Sequence, residues 1–500
     1  MDRLNIAFIT PEAVPYAKTG GLADISGTLP EHLARQGHSV KLFLPLYRQV
    51  KTTCPDLEKI ESEIICRVGE KEQKGELYRP AKGTAGVEVI FIANDFYFDR
   101  PELYRDPATG QDYTDNDERF IFFSRAVLQG LKALNWPPEI LHANDWQSAL
   151  VPSYLKTLYC DDPFFEKSRT IFTIHNMGYK GEFPVGTFSK IGLDEIYFSP
   201  AGPFEYWGMV SLMKSAIIFA DHVTTVSPTY AREIQSSSDF GMGLEGVLKD
   251  RATSLTGILN GVDYNVWSPQ KDKLISSRYF PSNISGKKKN KLELLSKAGL
   301  PLRMEQPLLG MISRLDNQKG FDLIAEIFDE VMKEDLQFIL LGTGDDKYHR
   351  FFSQKEMEYS SKFRAYLTFD NTLAHLIEAG ADIFLMPSRY EPCGLNQMYS
   401  LKYGTVPVVR ETGGLADTVV DFDEESRQGT GFVFEKYEAD ELLRSLRRAI
   451  QFFGRKRLWY KIVKQGMMMD YSWGKSAEEY TRLYRRVLGI ERQQPVRDQI

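Results

Sequence analysis

Residues 383–418 contain two glycine-containing loops, and each loop follows an apolar run. Glu391 stands in the first loop, and Thr412, Gly413 and Gly414 form the second. Apolar runs that lead into such loops are typical of parallel strands, whose carboxyl ends bind ligands in open α/β sheets. Helix N-termini and glycine turns offer backbone N–H groups to an anion. The stretch therefore predicts a phosphorylated ligand with Glu391 beside it.

Two basic residues, Arg314 and Lys319, follow another apolar run at residues 308–312. An Arg guanidinium forms forked hydrogen bonds with phosphate oxygens, and Lys adds a mobile positive charge. Together they could stabilise a diphosphate leaving group without a metal. The alternative interpretation is a surface pair that caps the next helix.

The sequence TGGLAD occurs twice, at residues 19–24 and 412–417, and each copy follows a strand-like run. Lys18 precedes the first copy, in which Gly20 and Gly21 would let a ligand approach the backbone closely. Two α/β domains that each present one glycine loop to a shared cleft would explain the repeat. A strand-to-helix turn that binds no ligand is the alternative.

Three polar residues follow strand-like runs within residues 1–264, namely Asp145, His175 and Asn260. A carboxylate and an imidazole suit hydrogen bonds to sugar hydroxyls. For His175 the alternative is a structural histidine whose hydrogen bonds are satisfied inside the protein.

Strands and helices alternate along the chain, which indicates parallel sheets built from right-handed βαβ units. We predict an α/β protein with two Rossmann-like domains, whose parallel sheets face a deep inter-domain cleft. Residues 1–264 form the first domain and residues 265–472 the second. A C-terminal helix at residues 473–500 is expected to pack back on the first domain.

Two local features accompany this plan. Residues 60–93 alternate polar and apolar side chains, which predicts an antiparallel insertion with turns near Lys74 and Gly83. The lysine-rich residues 287–291 are expected at a solvated helix start.

The composition limits the classes of partner and compartment. The 500 residues are 42% hydrophobic and 26% charged, which is ordinary for a globular protein. A net charge of −6 argues against nucleic acid as a partner. No run of 18 apolar residues is present, so no membrane span is expected. The four cysteines show no metal-site or disulfide-scaffold spacing, which indicates a reducing cytoplasm, and no pattern indicates an oligomeric state.

Taken together, these motifs resemble the bacterial glycogen synthase and plant starch synthase family. They span nearly the whole chain, with KTGGLAD at residue 18, HANDW at 142, SRLDNQKG at 313, PSRYEPCGLNQ at 387 and TGGLADTV at 412. KTGGLAD and EPCGL in that order are highly specific. The family consists of retaining glycosyltransferases with the two-Rossmann GT-B fold, so the resemblance implies that fold here.

The resemblance also carries the family's functional residues over one at a time. The nucleotide-sugar lysine falls on Lys18, and the diphosphate-binding Arg and Lys fall on Arg314 and Lys319. The acid near the donor glucose falls on Glu391.

The glucose-contacting Asp and His of the family fall on Asp145 and His175. Sister families often carry a second Glu eight positions after the first, where this chain has Tyr399, as in glycogen synthases. The remaining predicted substrate contacts are Gly20, Gly21, Asn260, Cys393, Gly394, Leu395, Tyr399, Thr412, Gly413 and Gly414.

The implied reaction transfers glucose from ADP-glucose to the 4-hydroxyl at the non-reducing end of an α-1,4-glucan such as glycogen, without a metal or other cofactor. The glucan acceptor would bind to the N-terminal domain and the nucleotide sugar to the C-terminal domain. Two alternatives stay open, an enzyme of this fold that uses UDP-glucose or a small acceptor, and a non-catalytic glucan-binding protein. A dinucleotide dehydrogenase is disfavoured because no G-x-G-x-x-G follows the first strand.

Overall fold

The computed structural model of the chain describes residues 3–83 and 86–491. They form two compact units, each built on its own largely parallel sheet with helices, so the predicted class of two Rossmann-like halves is confirmed. The N-terminal unit contains Met1–Val226, Ala231–Ile258 and Trp473–Ile500, and the C-terminal unit contains Ser227–Tyr230 and Leu259–Ser472.

Short, mostly apolar runs form the central parallel strands of the N-terminal unit, because a parallel strand covered on both faces is buried along its length. The first strand shows this, since its residues 6–9 are fully buried. In chain order the strands are β1 (Asn5–Ile9), β2 (Ser39–Pro45), β3 (Leu57–Val68), β4 (Lys71–Pro80), β5 (Val87–Ala93), β6 (Ile140–Asn144), β7 (Arg169–Ile174), β8 (Glu182–Phe183), β9 (Glu205–Tyr206), β10 (Met209–Ser211), β11 (His222–Thr225) and β12 (Leu255–Gly257).

Nine of these strands make one sheet in the order β12-β11-β7-β6-β1-β2-β5-β4-β3, and β8, β10 and β9 make a separate small sheet. Strand β1 pairs in parallel with both β2 and β6. The chain runs outward from β1 on one side and later returns to β6 on the other, so the β1/β6 boundary is a topological switch point. The loops after β1 and β6, which carry Lys18 and Asp145, both begin at that boundary.

The predicted antiparallel insertion is present, because β4 pairs in antiparallel fashion with both β3 and β5. The predicted turn near Lys74 is wrong, since the chain turns at Gly69 and Glu70 and Lys74 lies inside β4. Gly69 has a φ of 59°, a left-handed conformation that glycine adopts without strain. Lys74 is instead an exposed strand residue that pairs with Glu63 across the ladder.

Helices cover both faces of this sheet, as right-handed crossovers require. Those before residue 258 are α1 (Gly21–Arg35), α2 (Arg48–Thr53), α3 (Asp95–Phe98), α4 (Asn116–Ala133), α5 (Leu150–Lys156), α6 (Thr187–Ile191), α7 (Leu212–Phe219), α8 (Pro228–Glu233), α9 (Ser238–Gly241) and α10 (Glu245–Asp250).

The C-terminal unit is built on six strands that all pair in parallel. The strands are β13 (Leu308–Ile312), β14 (Gln337–Leu341), β15 (Phe363–Tyr366), β16 (Ile383–Met386), β17 (Val406–Arg410) and β18 (Phe432–Phe434). Their order is β15-β14-β13-β16-β17-β18, which places a second switch point between β13 and β16.

Apolar residues at helical spacing form the buried face of the helix Phe321–Lys333 in the C-terminal unit. Phe321, Ile324, Phe328 and Val331 recur at helical spacing and are all buried. No helix in the described residues is long and apolar enough to cross a membrane. The helices are α11 (Ser285–Lys297), α12 (Phe321–Lys333), α13 (Asp346–Glu358), α14 (Asn371–Gly380), α15 (Asn396–Tyr403), α16 (Gly413–Thr418), α17 (Ala439–Gly454) and α18 (Lys456–Met468).

The last helix, α19 (Trp473–Val487), belongs to the N-terminal unit. The Tyr484 hydroxyl lies 2.7 Å from His142 Nδ1 inside that unit, and Thr481 Oγ1 donates to Gln36 Oε1 at 2.6 Å. The last helix therefore packs on the N-terminal unit. Residues 492–500, which the predicted helix included, lie outside the described residues.

The lysine-rich start of α11 is not the solvated segment that the sequence predicted. Lys287 and Lys291 are buried, while the two lysines between them are exposed. Lys287 Nζ donates to Thr405 Oγ1 at 2.6 Å, and Lys291 Nζ donates to Asp382 at 2.6 Å. Burial lowers the pKa of Lys287 to about 7. A spacing of four puts both lysines on one helical face, and that face packs on the core.

The two TGGLAD copies both begin a helix, but they need glycine for different reasons. A Cβ on Gly20 or Gly21 would meet no atom within 4 Å. A Cβ on Gly413 would lie 1.9 Å from the carbonyl oxygen of Glu391. The second copy therefore requires glycine so that two backbone segments can pack together, and the first does not.

Gly413→Ala should destabilise the C-terminal unit by about 2–4 kcal/mol, because the new methyl group displaces backbone at a position whose φ is 44°. The matched change Gly20→Ala should stay within about 0.5 kcal/mol, because its backbone is extended at a φ of −148°. Calorimetric unfolding of both variants measures the difference. Equally small shifts for both would contradict the packing role of Gly413.

Candidate active-site residues

The switch point of the C-terminal sheet brings the predicted cations and the predicted acid together. Arg314 and Lys319 lie in the loop after β13, and Glu391 lies in the loop after β16. Because β13 and β16 are adjacent parallel strands, both loops leave the same edge of the sheet. Residues 72 positions apart in the chain thereby become neighbours.

Backbone contacts hold these two loops in register. The Arg389 N–H donates to the Gln318 carbonyl at 2.8 Å. A Cβ on Gly320, whose φ is 78°, would lie 2.1 Å from the Pro387 carbonyl oxygen. The approach of the loops therefore requires glycine at this position.

Lys319 and Glu391 form a bidentate ion pair. Lys319 Nζ lies 2.9 Å from Oε1 and 2.7 Å from Oε2 of the carboxylate. Ser388 Oγ donates to Oε2 at 2.9 Å. The Glu391 side chain is only 6% exposed, so its charge depends on these partners for stabilisation.

Arg314 lies on the solvent side of the same loop, with 57% of its side chain exposed. Its Nη2 is 3.6 Å from Asp316 Oδ2 and donates to Gln318 Oε1 at 3.4 Å. Long, exposed contacts of this kind contribute little to stability. The guanidinium can exchange them for the oxygens of an anion at low cost.

Four predicted contacts shape the loop that carries Glu391. Cys393 is buried, and burial raises the pKa of its thiol to about 12, which leaves it protonated and unreactive at neutral pH. Asn260 hydrogen-bonds to that thiol, and its buried Oδ1 has no hydrogen-bond partner among the described residues. Gly394 turns the chain at a φ of 71°, and Leu395 directly precedes α15.

The second TGGLAD copy braces the same loop from strand β17. The Gly414 N–H donates to the Glu391 carbonyl at 3.1 Å, and a Cβ there would lie 2.0 Å from the Cys393 carbonyl oxygen. Thr412 is fully buried and Gly413 contacts the same backbone. These residues pack against the backbone of the Glu391 loop. Their predicted contacts with a ligand stay a prediction.

Tyr399 belongs to an aromatic stack that the sequence analysis did not predict. The Trp267 ring lies 4.1 Å from the Tyr399 ring and 3.8 Å from the His375 ring, nearly parallel to both. Asp272 accepts hydrogen bonds from His375 Nδ1 at 2.8 Å and from the Tyr403 hydroxyl at 2.5 Å. The buried carboxylate thus fixes the imidazole, which orients Trp267 and through it Tyr399.

In the N-terminal unit, Glu12 organises the glycine loop. Its carboxylate accepts the backbone N–H groups of Thr19 at 2.5 Å and Gly20 at 3.2 Å, and the Tyr104 hydroxyl at 2.8 Å. Glu12 is buried, so an internal anion occupies the N–H groups that the sequence suggested for a ligand.

Lys18 projects from this loop and pairs with Asp24 at 2.8 Å. Both side chains are exposed, so the pair contributes little to stability, and a ligand anion can take the place of Asp24 beside Lys18. Gly21 begins α1 and faces open space.

Asp145 follows β6 in a strained backbone conformation, with a φ of 55° that non-glycine residues rarely adopt. Its carboxylate accepts the backbone N–H of His175 at 2.8 Å and that of Asn176. Desolvation raises the pKa of Asp145 to about 7. A carboxyl that titrates near neutral pH can accept or donate a hydrogen bond to a hydroxyl.

Hydrogen bonds determine the tautomer of His175. Asn144 Nδ2 donates to the carbonyls of Ile9 and His142, so Asn144 Oδ1 faces His175 Nε2 at 3.0 Å. Nε2 therefore carries the proton, and the buried Nδ1, which has no partner among the described residues, is an acceptor. Burial lowers the pKa of His175 to about 3, which keeps the ring neutral.

Some residues that hold the predicted ones in place carry no local signal in the sequence. Asp272 and His375 are 103 positions apart, and no local pattern marks such a pair. Glu12 does carry a signal, because it is a polar residue that follows the first strand by three positions and precedes the glycine loop.

Asp145 should titrate with a midpoint near pH 7 in the ligand-free protein, whereas an Asp in an unfolded chain titrates near about pH 4. Between these values the folded protein binds the proton more tightly, so this residue's contribution to the free energy of unfolding should fall as the pH rises. Carboxyl-carbon NMR of Asp-labelled protein, with Asp145→Asn to assign the signal, measures the midpoint. A midpoint near pH 4 would contradict the expected desolvation.

Two family models match this chain. The starch synthase catalytic domain matches residues 5–250, and glycosyl transferases group 1 matches residues 295–452. The glycogen synthase of Koribacter versatilis is 44% identical, over 99% of this chain and 100% of that protein. The glycogen synthase of Fervidobacterium nodosum is 45% identical, over 97% of this chain and 99% of that protein.

Solved structures agree with these matches. The catalytic domain of starch synthase IV from Arabidopsis thaliana has a TM-score of 0.87 and 33% identity, over 98% of this chain and 100% of that one. Sucrose-phosphate synthase from Thermosynechococcus elongatus has a TM-score of 0.60 and 17% identity, which shows a shared fold. The predicted family and GT-B fold are confirmed, and the chain is a glycosyltransferase that belongs to the glycogen synthase and starch synthase family.

Proposed function

We propose that this protein is a glycogen synthase that transfers glucose from ADP-glucose to the 4-hydroxyl at the non-reducing end of an α-1,4-glucan, with retention of configuration. The observation that carries the proposal is the Lys319–Glu391 pair beside Arg314, at the switch point of the C-terminal sheet. It supplies cations for a diphosphate and an acid for a sugar hydroxyl at one sheet edge. Similarity to glycogen synthases over the full length supports the same reaction.

The C-terminal unit is assigned to the nucleotide. Arg314 and Lys319 would bind the diphosphate oxygens. Phe369, in the loop after β15 at the same sheet edge, is 83% exposed, and an exposed ring there suits stacking on a base. ADP is the proposed nucleotide, and the related starch synthase IV domain was solved with ADP and acarbose.

The N-terminal unit is assigned to sugar hydroxyls through Asp145 and His175. The neutral His175 ring offers a lone pair at Nδ1, and Asp145 offers a carboxyl that can accept or donate. A neutral sugar is bound by such groups without the desolvation of a charge. Lys18 is proposed as a further phosphate contact that would exchange its partner Asp24 for the ligand.

In the proposed step the acceptor oxygen forms a bond to glucose C1 while the bond between C1 and the diphosphate oxygen breaks. The acceptor proton passes to the departing diphosphate oxygen, and no covalent enzyme intermediate forms. Arg314 and Lys319 stabilise the charge that develops on the diphosphate. Glu391, held by Lys319 and Ser388, accepts a hydrogen bond from a glucose hydroxyl and does not attack carbon.

We propose that the reaction needs no metal or other cofactor, because Arg314 and Lys319 supply the positive charge that the leaving group requires. Glucan and nucleotide sugar are the proposed partners. A cytoplasmic location is proposed from cysteine usage, since all four cysteines in the described residues are free thiols.

Incorporation of radiolabelled glucose into ethanol-insoluble glycogen tests the proposal, with ADP-glucose and UDP-glucose assayed in parallel. Polymer labelling from ADP-glucose, with much slower labelling from UDP-glucose, is the expected result. Faster labelling from UDP-glucose would reassign the donor. Glycogen binding without labelling from either donor would make the protein a non-catalytic glucan-binding protein.

Lys319→Ala should lower the turnover number about a hundredfold or more, because the leaving group loses a cation. It should also cost about 3 kcal/mol of stability, because the buried Glu391 carboxylate loses its partner. The double variant Lys319→Ala/Glu391→Gln should recover most of that stability, while its turnover stays low. Lys333→Ala, an exposed lysine on α12, is the control and should change neither quantity. Near-normal turnover in Lys319→Ala would remove Lys319 from the site.

Glu391→Gln should keep measurable transfer, because the amide oxygen still accepts a hydrogen bond, whereas Glu391→Ala should keep much less. A covalent nucleophile would lose nearly all activity in both variants. Intact-protein mass spectrometry of the wild type, mixed with donor and a slow acceptor, should show no added glucose. An adduct on Glu391 would replace the front-face step with a double displacement.

A further inference from the structure

We propose that Trp207, at the tip of the β9–β10 hairpin, is a stacking platform for a sugar ring of the α-glucan chain. The inference rests on the proposed function for the identity of the ligand. It assigns a residue that neither the sequence motifs nor the site chemistry required. Its basis is the exposure of the ring, the backbone conformation that presents it, the rigidity of the hairpin and the charge around it.

Trp207 is the only strongly exposed tryptophan of the six, all of which lie in described residues. Its side chain is 81% exposed, whereas the other five are buried or partly buried. Exposed tryptophan is rare on protein surfaces without a partner, and it is enriched where proteins bind ligands. Core packing therefore does not explain this side chain.

The turn chemistry of the hairpin does not explain it either. Trp207 has a φ of 50° and Gly208 a φ of 79°, the backbone of a two-residue turn with both central residues left-handed. Such turns strongly favour Asn-Gly, because Asn tolerates the left-handed region better than a bulky side chain does. The left-handed backbone at Trp207 therefore costs conformational free energy, and turn formation does not explain why an indole stands at this position.

The residues below the tip hold the hairpin rigidly. The Tyr206 hydroxyl donates to the Met242 carbonyl at 2.7 Å, and Lys180 Nζ reaches the same carbonyl and lies over the Tyr206 ring. The Gly208 N–H donates to Glu205 Oε1 at 2.9 Å. A ring presented by a rigid support loses little entropy when it binds a ligand.

The hairpin is continuous with the proposed sugar-binding residues of the same unit. Strand β10 pairs with β8, whose Phe183 packs edge-on against Trp146. Trp146 directly follows Asp145, and a Cβ on Gly181 would lie 2.8 Å from the Trp146 ring. The small sheet therefore packs on Trp146, the residue that follows Asp145.

The surrounding charge favours a neutral polyhydroxylated ligand. Glu205 lies on β9, and Glu182 on β8 pairs with Lys180 at 3.1 Å, so charges of both signs flank the hairpin and balance there without attracting an anion. Carboxylate oxygens accept hydrogen bonds from sugar hydroxyls, and the C–H face of a pyranose ring packs on an indole. An α-glucan has both features in every unit.

The test uses full-length protein and two matched variants. Trp207→Asn removes the ring and creates the Asn-Gly pair that this turn favours, so the hairpin should be at least as stable as in the wild type. Its affinity for glycogen, measured by mobility in glycogen-containing native gels, should fall about three- to tenfold. Trp207→Phe should retain most of the affinity. Phe96→Ala, which removes another exposed aromatic ring of the same unit, should leave glycogen affinity unchanged.

Unchanged glycogen affinity in Trp207→Asn would overturn the inference. A shift in oligomeric state on size-exclusion chromatography would also overturn it, because the ring would then bind a second copy of the chain. The binding assay needs no donor, so it is independent of the transfer reaction. Loss of glycogen affinity in a protein that labels no polymer would refute the proposed function alone, and normal affinity in a variant that labels polymer would refute this inference alone.

Discussion

The carboxylate of Glu391 is 6% exposed, and a charge so shielded from water must have a cation beside it. Lys319 provides that cation, which requires the loops after β13 and β16 to come within hydrogen-bonding distance. Gly320 permits the approach, because any larger residue would clash with the Pro387 carbonyl. The ion pair thus explains why position 320 is a glycine. It also explains why the two loops contact each other at the switch point of the sheet.

The predicted phosphate-binding cations all have carboxylate partners in the ligand-free chain. Lys319 pairs with Glu391 and Lys18 with Asp24. In the proposed reaction a diphosphate would compete with these internal anions for the two lysines. The sugar-binding candidates follow the opposite logic, because burial keeps His175 neutral and raises the pKa of Asp145 to about 7. The sugar-binding candidates of the N-terminal unit thus carry less charge than the phosphate-binding candidates.

Identical local sequence served different physical roles in this chain. The first TGGLAD copy leaves open space at its glycines, while in the second copy Gly413 packs against the Glu391 loop. A lysine-rich run likewise did not reveal whether its lysines are exposed. Lys287 is buried among oxygen acceptors, although its run resembles a solvated helix start. In both cases the sequence showed that the segment begins a helix. What surrounds the segment depends on residues that are distant in sequence.

The sequence by itself determined the α/β class, the two Rossmann-like halves and the family, because apolar periodicity and strand-end motifs are local signals. It also identified Lys319 and Glu391 as a cation and an acid, since each follows a strand. Only the tertiary structure decided that these two residues pair directly, and that Asp272 and His375 orient the ring stack on Tyr399. It also decided which tautomer His175 adopts and that a tryptophan stands exposed on a strained turn. These features depend on contacts between residues far apart in the chain, on burial and on backbone conformation, which leave no periodic or spaced pattern in a single sequence.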